Sequence, residues 1–283
     1  MPTTTPSLFD PLPRVLFHDD FNTGLNGWGA LIGNYEDRVD AMLPEYMDMR
    51  GPMLSNLSMW DAGTSGAISG AYALKLATRP KSGAFSVAIK RFTFRHWGPV
   101  RVEAIFTFKP EAGELELSDT AVRAIGILMD VQHADGQSQQ PLRVMPHVRY
   151  LNAFEGERVE RWQYKAEREP LRDIGNRGKT WSHFHLASRN WIDLSGGYQR
   201  LCYNEIATKH NWYYLRLDFD LATMSYLGFR CNECKLQMDD AEPMKLPAMP
   251  NLWSMLNTVF WVESDIARRS LLYLDSVVVS SAE

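Results

Sequence analysis

The chain has 283 residues, 45% of them apolar and 12% aromatic, enough to bury a large core. Thirty basic against 34 acidic side chains give a formal charge of −4, so the basic stripe of a nucleic-acid binder is missing. No run of about 18 apolar residues occurs, so nothing is expected to span a membrane. The N-terminus also lacks the basic and apolar regions of a secretion signal. Three cysteines make no disulfide framework, and the cytoplasm is the expected compartment.

Residues 1–13, rich in Pro and Thr, read as an arm laid along a neighbouring surface, ahead of a single β-sandwich domain over 14–283. Strand signals follow. "AYALKLAT" and "FSVAIKRFTF" alternate around the turn "RPKSG". "VRVEAIFTF" puts Val102, Ala104, Phe106 and Phe108 on one face, with Arg101, Glu103 and Thr107 on the other. "AIGILMDVQ" is continuously apolar, as in a strand covered on both sides. "LRVMPHVRYLNAF" and "VERWQYKAE", separated by "EGER", form a hairpin, and "WSHFHLAS" reads as a further strand. "NWYYLRLDFDLATMSYLGFRCNECKLQM" holds two alternating runs, whereas "MPNLWSMLNTVFWVES" fits either a helix or a strand. Many short strands with turn signals predict an all-β fold.

Three stretches carry a resemblance: "FHDDFNTGLNGW" (17–28), the hairpin beginning "NWYYLRLDFD", and "YLDSVVV" (273–279). Together they resemble the concanavalin-like jelly-roll superfamily of laminin-G modules, lectins and glucanase-type domains. The resemblance implies a two-sheet antiparallel jelly-roll sandwich with its first and last strands paired, and long loops over a concave face. It also implies a structural cation near the termini, here a calcium on Asp20 and Asp275. A physical argument bears on the same place: an aspartate inside "LYLDSVVV" is costly if buried alone, so Asp275 needs solvent, a backbone donor or a cation.

Polar and aromatic side chains are densest in the middle of the chain. His147 and Arg149 share one strand face, opposite Tyr150 and Asn152. Glu160, Trp162 and Tyr164 share a face opposite Arg161 and Lys165. Trp181, His183 and His185 share another, and "RNWIDLSGGYQR" adds Trp191, Asp193 and Tyr198. Aligned on one concave surface, these groups suit a sugar, whose C–H faces pack on indole and whose hydroxyls need polar partners. "HFH" can present two imidazoles to a metal, but two hydrogen-bonded histidines on a half-wet strand is the reading preferred, with either ring available as a general base. The Glu-x-Asp-x-x-Glu pattern of many retaining glycosidases with this fold is missing. "CNEC" reads as a turn with buried thiols. The methionine-rich stretch 40–60 reads as a lid over the concave face or a subunit contact.

The expected function is therefore a carbohydrate-active enzyme, of glycoside hydrolase or lyase type, acting on a small glycoside or oligosaccharide. Trp162, Tyr164, Trp181 and Trp191 would pack on the sugar, and Arg149 would hold a hydroxyl or carboxylate. His183 or His185 would move a proton, with Glu160 and His147 as further catalytic groups. The alternatives are a non-catalytic carbohydrate-binding protein and a structural homo-oligomeric protein.

Overall fold

The computed structural model describes residues 8–30, 49–55, 67–111, 118–133, 142–167, 172–173, 180–181, 186, 190–202, 211–248 and 254–283. Among them there are nineteen strands and no helix. In chain order these are β1 (Arg14–Asp19), β2 (Trp28–Gly29), β3 (Met53–Leu54), β4 (Leu74–Ala77), β5 (Phe85–Lys90), β6 (Pro99–Pro110), β7 (Val122–His133), β8 (Leu142–Met145), β9 (His147–Phe154) and β10 (Glu157–Lys165). They continue with β11 (Arg172–Asp173), β12 (Thr180–Trp181), β13 (Trp191–Tyr198), β14 (Tyr213–Asp220), β15 (Ser225–Cys231), β16 (Cys234–Leu236), β17 (Met244–Leu246), β18 (Met255–Ser264) and β19 (Ser270–Ser281).

Two antiparallel sheets form a jelly-roll sandwich. The first runs β16-β15-β14-β6-β19-β4-β3, with β1 beside β19; the second runs β13-β10-β9-β7-β18-β5-β2, with β8 and β17 appended at β7. The chain ends meet as the sequence predicts, Arg14 opposite Ser281 and Asp19 opposite Val277. Pairing the ends covers one side of the last strand.

Alternation decides what fills the space between the sheets. Val100, Val102, Ala104, Phe106 and Phe108 of β6 face Ile125, Ile127, Met129 and Val131 of β7 across the main core. The other side of β7 is covered too: Ala124 and Leu128 belong to a second apolar cluster on the outer face of the second sheet, with Val87, Val259 and Trp261. The ambiguous "NTVFWVES" is strand, paired along its length with β7. The β9–β10 hairpin turns on Glu155 and Gly156, both at positive φ (52° and 85°). That geometry matches the twist of the flanking strands and favours glycine at the second position. Asp265 accepts from both turn N–H groups, at 3.1 and 2.7 Å.

Residues 8–13 lie on the outer face of the first sheet. Phe9 packs with Ile105 and Val278, the Asp10 N–H donates to Glu103 at 2.8 Å, and the Asp10 carboxylate lies 3.1 Å from both Arg101 and Arg216.

Candidate functional site

Register builds the site. Across the outer face of the second sheet, Trp261 of β18 lies opposite Gly126 of β7, Gly126 opposite Arg149 of β9, Arg149 opposite Gln163 of β10, and Gln163 opposite Asp193 of β13. These five residues form one cross-strand row. The neighbouring rows place Val259, Leu128 and His147 on one side, and Glu263, Ala124, Leu151 and Arg161 on the other.

The row is wired by hydrogen bonds. Arg149 Nε donates to Gln163 Oε1 at 2.8 Å, and Gln163 Nε2 donates to Asp193 Oδ1 at 2.7 Å. Arg161 donates to Asp193 Oδ2 at 2.6 Å. The Gln163 hydrogen bond, aided by Arg161 and Arg149, holds Asp193 below the usual carboxylate range. Trp191, partly exposed on the edge strand, lies over this row: its ring centroid is 4.1 Å from the Arg149 guanidinium carbon and 5.3 Å from Lys165 Nζ. His147 meets Trp191 edge-on at 4.5 Å. It also accepts from the Trp261 indole N–H through Nε2 at 3.0 Å, which leaves the ring neutral with its proton on Nδ1.

Trp261 lies flat across the strand because Gly126 leaves it room; a Cβ there would fall 2.2 Å from its Cε2. Beside it, Glu263 is fully buried, with Oε1 accepting from Arg123 at 2.7 Å. Burial holds its carboxyl above the usual glutamate range, against the opposing pull of Arg123 and Arg149. A raised folded-state pKa adds stability that is complete below the unfolded value of about 4.3 and lost as pH rises through the folded value. Glu263→Gln removes that loss. Urea unfolding across a pH series should therefore show a shallower decline above about pH 4.3 in the variant than in the parent; parallel curves would rule this account out.

The sequence paired the strand faces incorrectly at one point. Trp162 and Tyr164 do share a face of β10, but it is the interior one, and Arg161, Gln163 and Lys165 are the residues beside His147 and Arg149. Trp162 is 1% exposed between the sheets, against Tyr150 and Phe229 at 5.2 and 4.5 Å, so it is a core residue and not a sugar platform. Tyr164 packs on the same core, edge-on to Tyr226. Glu160 stands at a bulge with φ 57°, where it accepts from the Tyr198 hydroxyl at 3.1 Å, away from Arg149. His183, His185 and the side chain of Trp181 lie outside the described residues. Leu186, directly after His185 in the chain, is buried in the outer-face cluster with Trp261. From the methionine-rich stretch, Met49 packs there as well.

Both expected calcium ligands have partners within the protein. Asp275 accepts from the backbone N–H groups of Ile68 and Ser69 at 2.6 and 3.1 Å, and from the hydroxyls of Ser69 and Ser276, each at 3.3 Å. Its lone pairs are thus taken by donors, and of the three remedies for a buried carboxylate the backbone donor is the one used. Asp20 accepts from the N–H of Asn22 at 3.1 Å. Calcium needs an all-oxygen ligand shell, and no group of three or more metal-ligating side chains occurs among the described residues.

Gln163, Trp261, Glu263 and Arg123 were not singled out from the sequence. A charge within an apolar run was the available signal for Glu263, as it was for Asp275.

The fold and this face define an all-β jelly-roll sandwich with paired chain ends and an aromatic and charged outer sheet surface. The chain belongs to the family described as a domain of unknown function, DUF6772, whose model matches residues 3–283. None of the curated proteins compared with it matches. Among solved structures, it is similar to the Emp46p carbohydrate recognition domain in a potassium-bound form, at 10% identity and TM-score 0.39, covering 95% of each chain. It is similar to winged bean acidic lectin complexed with methyl-alpha-D-galactose at 9% identity and TM-score 0.36, covering 74% of this chain and 86% of the lectin. Bacillus licheniformis beta-glucanase aligns at 12% identity and TM-score 0.37, covering 94% and 97% of the two chains.

Proposed function

We propose that this protein binds a small carbohydrate or glycoside on the outer face of the second sheet, at the end formed by β10 and β13. The observation that carries the reading is the edge of the row. A partly exposed indole, Trp191, stands beside Asp193, whose two oxygens are oriented by Gln163 and Arg161. An aromatic face flanked by a few oriented polar groups matches a sugar's apolar C–H face and its rim of hydroxyls. Calorimetric titration against a panel of oligosaccharides tests it. Asp193→Ala should weaken the best ligand about tenfold, or about 1.4 kcal/mol. A panel with no binder removes the proposal.

Binding is favoured over two-carboxylate hydrolysis by distance. Asp193 and Glu263 are the acids of this face whose environments push them in opposite directions. They stand on β13 and β18, whose strand order puts their backbones roughly 19 Å apart, beyond the roughly 5 to 9.5 Å such chemistry needs. Hydrolase or lyase chemistry is a second reading, supported by the packing of Leu186, next to His185, on this face. In that case His183→Ala or His185→Ala should lower turnover at least about tenfold, and unchanged rates in both would leave binding alone. The cytoplasmic location belongs to the proposal as well, supported by three cysteines without a disulfide.

A further inference from the structure

The wiring of Arg149 points past a neutral sugar. Arg149 is 4% exposed. Its Nε is bound to Gln163 and its guanidinium is covered by Trp191, yet its buried Nη1 has no hydrogen-bond partner among the described residues. The acids whose charges act on it accept from other donors. Asp193 gives its two oxygens to Gln163 and Arg161, and Glu263 gives Oε1 to Arg123. Burial pushes Arg149 down to about 9 in spite of both, so its cation is under-compensated within the protein. A buried guanidinium with a free N–H is costly, and the group that best relieves it is an oxyanion, which takes charge-assisted bonds from the planar fork.

We infer that the carbohydrate carries an oxyanion, a carboxylate or a sulfate ester, and that Arg149 is the residue that receives it beneath Trp191. This rests on the carbohydrate reading above and narrows it to acidic sugars. Trp191 is the first residue of the edge strand β13, so a ligand arriving from the open side of the sheet meets the indole first and the guanidinium behind it. Oε2 of Glu263, which has no hydrogen-bond partner among the described residues, sits one row away across Ala124 and Gly126 and suits a hydroxyl of the same sugar.

The experiment uses three probes with one oligosaccharide backbone: a uronate-containing form, its carboxyl-reduced form and a sulfated form. Titrated into the full chain, at least one acidic probe should bind tenfold or more tighter than the reduced one, and which acid does so identifies the source of the oxyanion. Arg149→Gln should narrow that ratio below threefold, with Arg149→Lys in between. If the glutamine variant does not fold, the ratio in the parent protein and its decline with added salt decide the matter. Equal affinity for all three probes overturns the acidic-sugar inference and leaves the carbohydrate reading standing. Absence of binding to any of them, neutral included, takes both away.

Discussion

Gly126→Ala is expected to destabilise the protein by about 2–6 kcal/mol although it adds a single carbon. The new Cβ would lie 2.2 Å from Cε2 and 2.4 Å from Cζ2 and Nε1 of Trp261. The indole has nowhere to retreat: it is fully buried, its ring packs against Phe85 at 5.7 Å, and its N–H is committed to His147. Forcing an extra carbon into such packing costs about 1–3 kcal/mol. Tearing the N–H from its acceptor in a dry place costs about 1–3 kcal/mol more. The loss should appear as a lower urea midpoint with an unchanged slope. Combining it with Trp261→Leu should cost less than the two single changes added together, because the residues contend for the same space. A loss under about 1 kcal/mol for Gly126→Ala alone would mean that the indole moves freely, and the site's floor would then not be rigid.

Much of the frame was legible in the sequence because alternation is a direct consequence of the pleat. Val102, Ala104, Phe106 and Phe108 announced an inward face and have one. The unbroken run through Ile125 and Leu128 announced cover on both sides, and β7 has it. Asp275 announced a need for partners and found four donors. The orientation of β10 was not legible. Periodicity separates Trp162 and Tyr164 from Arg161, Gln163 and Lys165, but it does not say which set looks into the core when both sides of the sheet are covered. Lys165 is as fully buried as Trp162. The choice is settled by register with β9, which aligns Arg149 with Gln163, and by a bulge between Arg158 and Arg161, and neither leaves a mark in composition. Trp261 and Glu263 escaped notice for a related reason: "VFWVES" has no strict alternation when both faces of its strand are buried.

The two tryptophans at issue should separate stability from binding. Trp162→Ala removes an indole that fills the space between the sheets, touches Tyr150 and Phe229, and donates to Gln199 at 2.7 Å. The expected cost is about 3–5 kcal/mol, a large part of the stability of an ordinary domain. Whatever fraction stays folded should bind sugar as the parent does, since no part of Trp162 reaches the outer face. Trp191→Ala should do the reverse. Its ring is partly exposed on an edge strand, and the contact with Arg149 is worth about 0.5–2 kcal/mol, so unfolding should change little. Affinity should fall by tenfold or more, because the surface that a sugar ring would cover is gone. Measuring unfolding and ligand titration on both variants gives four numbers. A Trp191→Ala protein that binds like the parent would move the site away from β13, and a Trp162→Ala protein of undiminished stability would contradict the packing between the sheets.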